Sequence, residues 1–197
     1  MSTELGSFLG RFRSTWGALT VAACAGPLSL QTTAPQFITP WPDVGVVTGL
    51  ATIACGIALL NAYTVFSRLS RARSNLHARL ARRAKPVMAT APVLLLGYLL
   101  CSSFFVITEL QPAANGAKAA YVSVVKGYER LPKIREKFGD EYPDKTLLRD
   151  FQYQEEMVWT PTSLTVTRLA MLVLYLGFFY SLTHAIALLM SSQVKKE

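Results

Sequence analysis

Charge is scarce in this chain, and cysteine is scarcer. Asp, Glu, Lys and Arg make up 16% of the 197 residues, against roughly a quarter in a typical soluble domain. The deficit is concentrated. Between Ser14 and Arg68 the only charged side chain is Asp43, Val87–Thr108 has none, and Leu169–Met190 has only His184. Such runs exceed the length at which an apolar stretch is read as a membrane span. They exclude a soluble globular enzyme and a disordered polar protein. The cysteines are Cys24, Cys55 and Cys101, each inside an uncharged stretch, so a disulfide framework is excluded and small apolar packing residues are expected.

What is present is mostly hydrophobic, at 51% of residues, with a net charge of +8. A basic balance would suggest nucleic acid in a soluble protein, but here placement decides. Arg68, Arg71, Arg73, Arg79, Arg82, Arg83 and Lys85 lie between two apolar runs with no acid among them, which is the positive-inside signature. Gly45–Phe66, Val87–Thr108 and Leu169–Met190 are 22 residues each, about 33 Å as helix and enough to cross a hydrocarbon core. Trp16–Leu30 is shorter and contains Pro27. As a first span it places Arg11 and Arg13 on the side of the arginine block, as the last span does for Lys195 and Lys196. Trp16, Trp41 and Trp159 fall near span ends, where interfacial aromatics belong.

The expectation is an all-α integral membrane protein of four transmembrane helices, with a small helical extracytoplasmic domain between the last two. The count drops to three if the N-terminal segment is cleaved or interfacial, since Val21-Ala22-Ala23-Cys24 resembles a lipoprotein cleavage box. The segments are an N-terminal piece (1–13), a first span (14–31), a second (44–66) and a basic inner loop or helix (67–86). A third span (87–109), an outer helical domain (110–163), a last span (164–190) and an inner tail (191–197) follow. Both termini face the cytoplasm or matrix, in a bacterial or mitochondrial inner membrane.

In the basic segment Leu69, Ala72, Leu76 and Leu80 recur at helical spacing, which predicts an extension of the helical hairpin or a helix at the headgroups, with a helix restarting at Pro86. The outer domain balances eight bases with eight acids. Tyr121, Val124, Val125, Tyr128 and Leu131 predict one amphipathic helix there, and Leu147, Leu148, Phe151 and Val158 a second. Gly139 and Pro143 separate them, and Asp144 is the expected N-cap. Four spans with a large second outer loop resemble the tetraspanin layout, but this loop holds no cysteine, and no family is assigned.

Three sets of residues are candidates for function. Gly45, Gly49, Thr52 and Gly56 share one face of the second span, and Ala51, Cys55, Ala58 and Ala62 another. In the last span Gly177, Ser181 and Ala185 recur every four residues. Small faces permit close backbone approach, which stabilises helix association in lipid. His184 lies within about 20° of Gly177 around its helix and so faces other helices. Proton handling, a quinone or haem contact, or a neutral imidazole bonded to a neighbouring helix are its options. Arg168 either snorkels to the outer interface or pairs with Glu109 at the end of the third span. The arginine block is read as topogenic charge with anionic-lipid contact or as a dock for an acidic partner. Nucleic acid is not expected, because no aromatics are interleaved for stacking.

No phosphate loop, metal-ligand spacing or assignable nucleophile–base set is present, so no cofactor is expected. The leading expectation is a non-catalytic membrane subunit of a larger complex, for example a respiratory or other energy-transducing one. A homo-oligomeric channel or pore-forming effector is the alternative, and a small membrane enzyme using His184 is a third.

Overall fold

A computed structural model describes residues 44–70, 75–111 and 120–193. The expected first span, with Arg11, Arg13, Cys24 and the cleavage box, lies outside the described residues, as do Arg71, Arg73, Lys195 and Lys196. Three described helices are long and apolar enough to cross a membrane, within Gly45–Ser70, Leu76–Phe105 and Pro161–Ser192. The chain is mostly helical and is compatible with a multi-pass membrane protein.

Helix α1 is Val44–Ser70 and helix α2 is Leu76–Phe105. Asn75, before α2, takes a left-handed backbone (φ 51°), which asparagine tolerates better than most residues, and its carbonyl accepts the amide of Arg79 at 3.1 Å. The basic residues from Arg79 to Lys85 therefore continue the long helix. Pro86 does not restart α2. It lies inside the helix, as does Pro92. The helix stops at Phe105, short of Thr108, because Val106–Gln111 is strand β1.

Strand β2 is Ala120–Val125 and pairs antiparallel with β1, Val106 opposite Val125 and Glu109 opposite Val122. An all-α fold is thus corrected by one two-stranded ribbon. The expected helix through Tyr121 and Val124 is this strand. Val122, Val124 and Val125 are β-branched, stiff at χ1 and better suited to a pleated surface. Helix α3 (Pro132–Phe138) and helix α4 (Asp144–Asp150) follow, then a 3₁₀ turn at Glu155–Met157 and helix α5 (Pro161–Gln193). Pro143, not Asp144, is the N-cap of α4, with Asp144 in the first turn, where its carboxylate suits the helix dipole. Val158 lies beyond α4, at the end of the 3₁₀ turn and next to Trp159, which pairs with Arg130 in an isolated bridge.

The described chain separates into two compact units. The helical unit contains α1, α2 to Gly97, and α5 from Leu174. Its α1 buries Ala51, Cys55, Ala58 and Ala62 completely. Phe66, Leu80, Ala84, Ala187 and Leu188 join α1, α2 and α5 in one cluster. Helices α2 and α5 offer each other a glycine. A Cβ on Gly177 would lie 3.3 Å from a methyl of Leu94, and one on Gly97 would lie 3.4 Å from a methyl of Leu174. Small residues allow the close approach that replaces hydrophobic drive in lipid.

The polar unit runs from Tyr98 to Val173. Its core is Ile107 and Val124 from the ribbon, Ile134 from α3, Leu147 and Leu148 from α4, and Val158, Trp159 and Leu164. Gly127 makes this packing possible, since a Cβ there would overlap the Ser163 hydroxyl and lie 2.9 Å from Trp159 Cβ.

Candidate functional site

In the helical unit the polar side chains of the spans converge on the seam between α1 and α5. His184 is 9% exposed and its Nδ1–H donates to the Ala58 carbonyl at 3.0 Å. A carbonyl only accepts, so Nδ1 carries the proton. The imidazole stacks on Tyr180 with 5.8 Å between centroids and 6° between planes. The Asn61 carboxamide donates to the Tyr180 hydroxyl at 2.7 Å. One turn up the seam, Thr183 Oγ1 donates to Cys55 Sγ at 3.3 Å. Ser181 and Ala185 are buried.

The two small faces of α1 differ in use. The alanine face is fully buried, whereas Gly45, Gly49 and Gly56 are exposed. A Cβ at Gly49 or Gly56 would meet nothing within 4 Å. Around the exposed side stand Val46, Ile53, Ile57 and Leu60, together with Asn61. On α2 the bases Arg79, Arg82, Arg83 and Lys85 are exposed, as is Arg68 in the last turn of α1.

In the polar unit each arginine is paired with a carboxylate. Glu109 does not meet Arg168. Its carboxylate accepts Nε and Nη2 of Arg149 at 2.9 and 3.3 Å and the Tyr153 hydroxyl at 3.1 Å. This fastens the ribbon to α4 and holds Tyr153 in a left-handed backbone (φ 61°). Arg168, with 12% of its side chain exposed, pairs with Glu155, whose other oxygen accepts the Val125 amide at 3.2 Å. Arg168 therefore pairs with Glu155 on the 3₁₀ turn rather than with Glu109 on β1. Arg130 reaches the Gly139 and Tyr142 carbonyls at 2.8 and 2.6 Å and Asp144 at 2.7 Å. Lys126 meets the same aspartate at 3.2 Å.

The hydrogen bond from Arg149 holds the Glu109 carboxyl below its ordinary value of 4.5, against burial, which pushes it up. A carboxylate whose pKa falls on folding stabilises the fold above its unfolded-state value, and that contribution is lost as the pH drops through the lowered one. Acidification from about pH 6 to about pH 3 should thus lower the melting temperature of the polar unit more in the native chain than in Glu109→Gln. Equal slopes in circular dichroism melts would contradict this.

Two grooves open on the polar unit. One of about 320 Å³ is lined by Ser123, Val125, Tyr153, Glu155, Glu156 and Met157. The other, of about 460 Å³, is lined by Phe105, Tyr128 and Trp159 with Lys126, Glu129, Arg130, Arg135, Asp140 and Asp144. The second holds three bases and three acids, most engaged with one another. Among the described residues no group of His, Cys, Asp or Glu is arranged to hold a metal ion.

No family model, curated protein or solved structure matches the chain. The site is therefore read from its own chemistry. Sequence reasoning missed Arg130, Glu155 and Asn61. Asn61 was visible as the one carboxamide in a charge-free run. Arg130 and Glu155 carried no local signal, because each acts on residues distant in the chain.

Proposed function

We propose that this chain is a non-catalytic integral membrane subunit that assembles within a larger membrane complex. It lies in a bacterial or mitochondrial inner membrane, with both termini on the arginine side and segment 110–163 on the outer face. The observation that carries the reading is the exposed side of α1. Gly49 and Gly56 stand beside Ile53, Ile57 and Leu60 with open space around them, and Asn61, exposed within the span, uses a single side-chain hydrogen bond. A row of small residues beside branched apolar ones is suited to a neighbouring helix, and a carboxamide in lipid gains from a partner. The engagement of His184 by Ala58 supports a packing role rather than catalysis.

Purification of the full chain in mild detergent, followed by mass spectrometry, tests the reading. Unlike partners are expected to co-purify. A closed ring of identical chains would favour the pore reading, for which the same glycine row would serve as the subunit contact. Gly49→Leu with Gly56→Leu should leave the chain folded, because both positions are exposed and a Cβ at either meets nothing within 4 Å. It should reduce recovered partner about tenfold, the equivalent of ~1.4 kcal/mol. Unchanged recovery would count against the α1 surface.

A further inference from the structure

The two units treat their arginines in opposite ways. In the polar unit Lys126, Arg130, Arg135, Arg149 and Arg168 each pair with a carboxylate. In the helical unit Arg68, Arg79, Arg82, Arg83 and Lys85 form no ion pair among the described residues, and all are exposed. The chain could not pair them locally, since no acid occurs anywhere between Asp43 and Glu109. A concentrated positive surface without internal counter-charge takes its anions from outside.

Position along α2 specifies what those anions are. The expected third span begins at Val87. At 1.5 Å per residue, Lys85, Arg83 and Arg82 precede it by about 3, 6 and 7.5 Å. The headgroup layer on each side of a hydrocarbon core is roughly 5–8 Å thick. Direction agrees with depth. At about 100° per residue, Arg82 lies within about 20° of Val93 around the helix, and Val93 is 67% exposed as a side chain facing lipid would be. The buried stripe of Leu80, Ala84 and Ala91 lies on the opposite side. Arg82 thus continues the lipid-facing stripe into the headgroup layer. Arg79 and Arg83 stand one turn apart beside it. Guanidinium forks match phosphate oxygens in pairs, which a point charge does not.

We propose that the first turns of α2, centred on Arg79, Arg82, Arg83 and Lys85, form a binding site for anionic phospholipid, with the guanidinium groups on the headgroup phosphate. This is independent of any subunit partner, since the ligand is the bilayer itself. The site selects a negatively charged lipid over a zwitterionic one of equal chain length and weakens with salt.

The full-length chain in detergent micelles, titrated separately with phosphatidylglycerol and phosphatidylcholine, provides the test by native mass spectrometry. Phosphatidylglycerol should be retained in preference to phosphatidylcholine, and the preference should fall as salt rises. Near a membrane surface each base contributes about fivefold, so Arg82→Gln should lower the preference by about fivefold and Arg82→Gln with Arg83→Gln by about 25-fold. Lys133→Gln with Lys145→Gln, on the polar unit, should leave it unchanged. Inorganic phosphate should compete weakly, because it lacks acyl chains to bury beside Val93. Equal retention of both lipids overturns the proposal, as does a double variant that keeps the native preference. Complete displacement by inorganic phosphate would also overturn it, assigning the bases to free phosphate instead. Acidic proteins captured in place of lipid, with no phosphatidylglycerol preference, would assign them to a protein dock.

Discussion

Replacing Gly127 with alanine should destabilise the polar unit by about 3 kcal/mol or more. The added methyl would overlap the Ser163 hydroxyl and press on Trp159 Cβ at 2.9 Å. Neither neighbour can yield cheaply. The Ser163 hydroxyl donates to the Glu129 and Thr160 carbonyls at 3.1 and 3.0 Å. Trp159 is 1% exposed and is paired through the backbone with Arg130. Relief therefore means breaking hydrogen bonds or shifting the bridge that carries the largest side chain of the core. The expected signature in detergent is loss of the near-ultraviolet tryptophan signal and faster proteolysis between residues 120 and 160, with the far-ultraviolet helical signal largely kept. Gly49→Ala supplies the contrast. Open space surrounds that position, and alanine is the better helix former by up to about 1 kcal/mol. A Gly127→Ala protein that melts as the native one does would refute the packing account.

The second large effect concerns Glu155. Its two oxygens serve different elements, one bonded to the Val125 amide and the other paired with Arg168. Glu155→Ala removes both interactions and takes the carboxylate from a guanidinium that is 12% exposed. Breaking a buried pair from one side costs about 3–5 kcal/mol, because the remaining charge is uncompensated. Arg168→Met should cost less, since the freed carboxylate is 21% exposed and keeps its bond to β2. The double variant Glu155→Gln with Arg168→Met should recover much of the loss, as apolar replacement of a buried pair is often neutral. A double-mutant cycle built from Glu155→Gln, Arg168→Met and their combination, read on thermal or denaturant melts, should therefore show coupling above about 1 kcal/mol. Additive effects would mean that the two side chains act separately.

Legibility followed the physics of each region. The long helices were readable because an uncharged apolar run of that length has few alternatives to a membrane span. Their ends were less so. Pro86 resembles a helix start, yet the helix continues through it, with Leu80, Ala84 and Ala91 in one buried stripe on both sides. The segment around Val124 fitted a helical stripe by coincidence of spacing, and β-branching, the opposing clue, was given too little weight. Among eight acids in the polar segment, no local pattern says which one meets Arg168. Geometry chose Glu155 and left Glu109 to Arg149. On α1 both small faces were evident from spacing, but only packing distinguishes the alanine face that is used from the glycine face that is open.

The prolines of α2 have a mechanical consequence. Pro86 and Pro92 lack amide protons, so the carbonyls of Arg82 and Met88 lose their usual partners one turn back. Helix α1 contains no proline, and α5 only Pro161, at its first position. Of the three long rods, α2 is the compliant one. Bending imposed by a thinner or thicker bilayer will concentrate between those two imino acids, leaving the seam around His184 undisturbed.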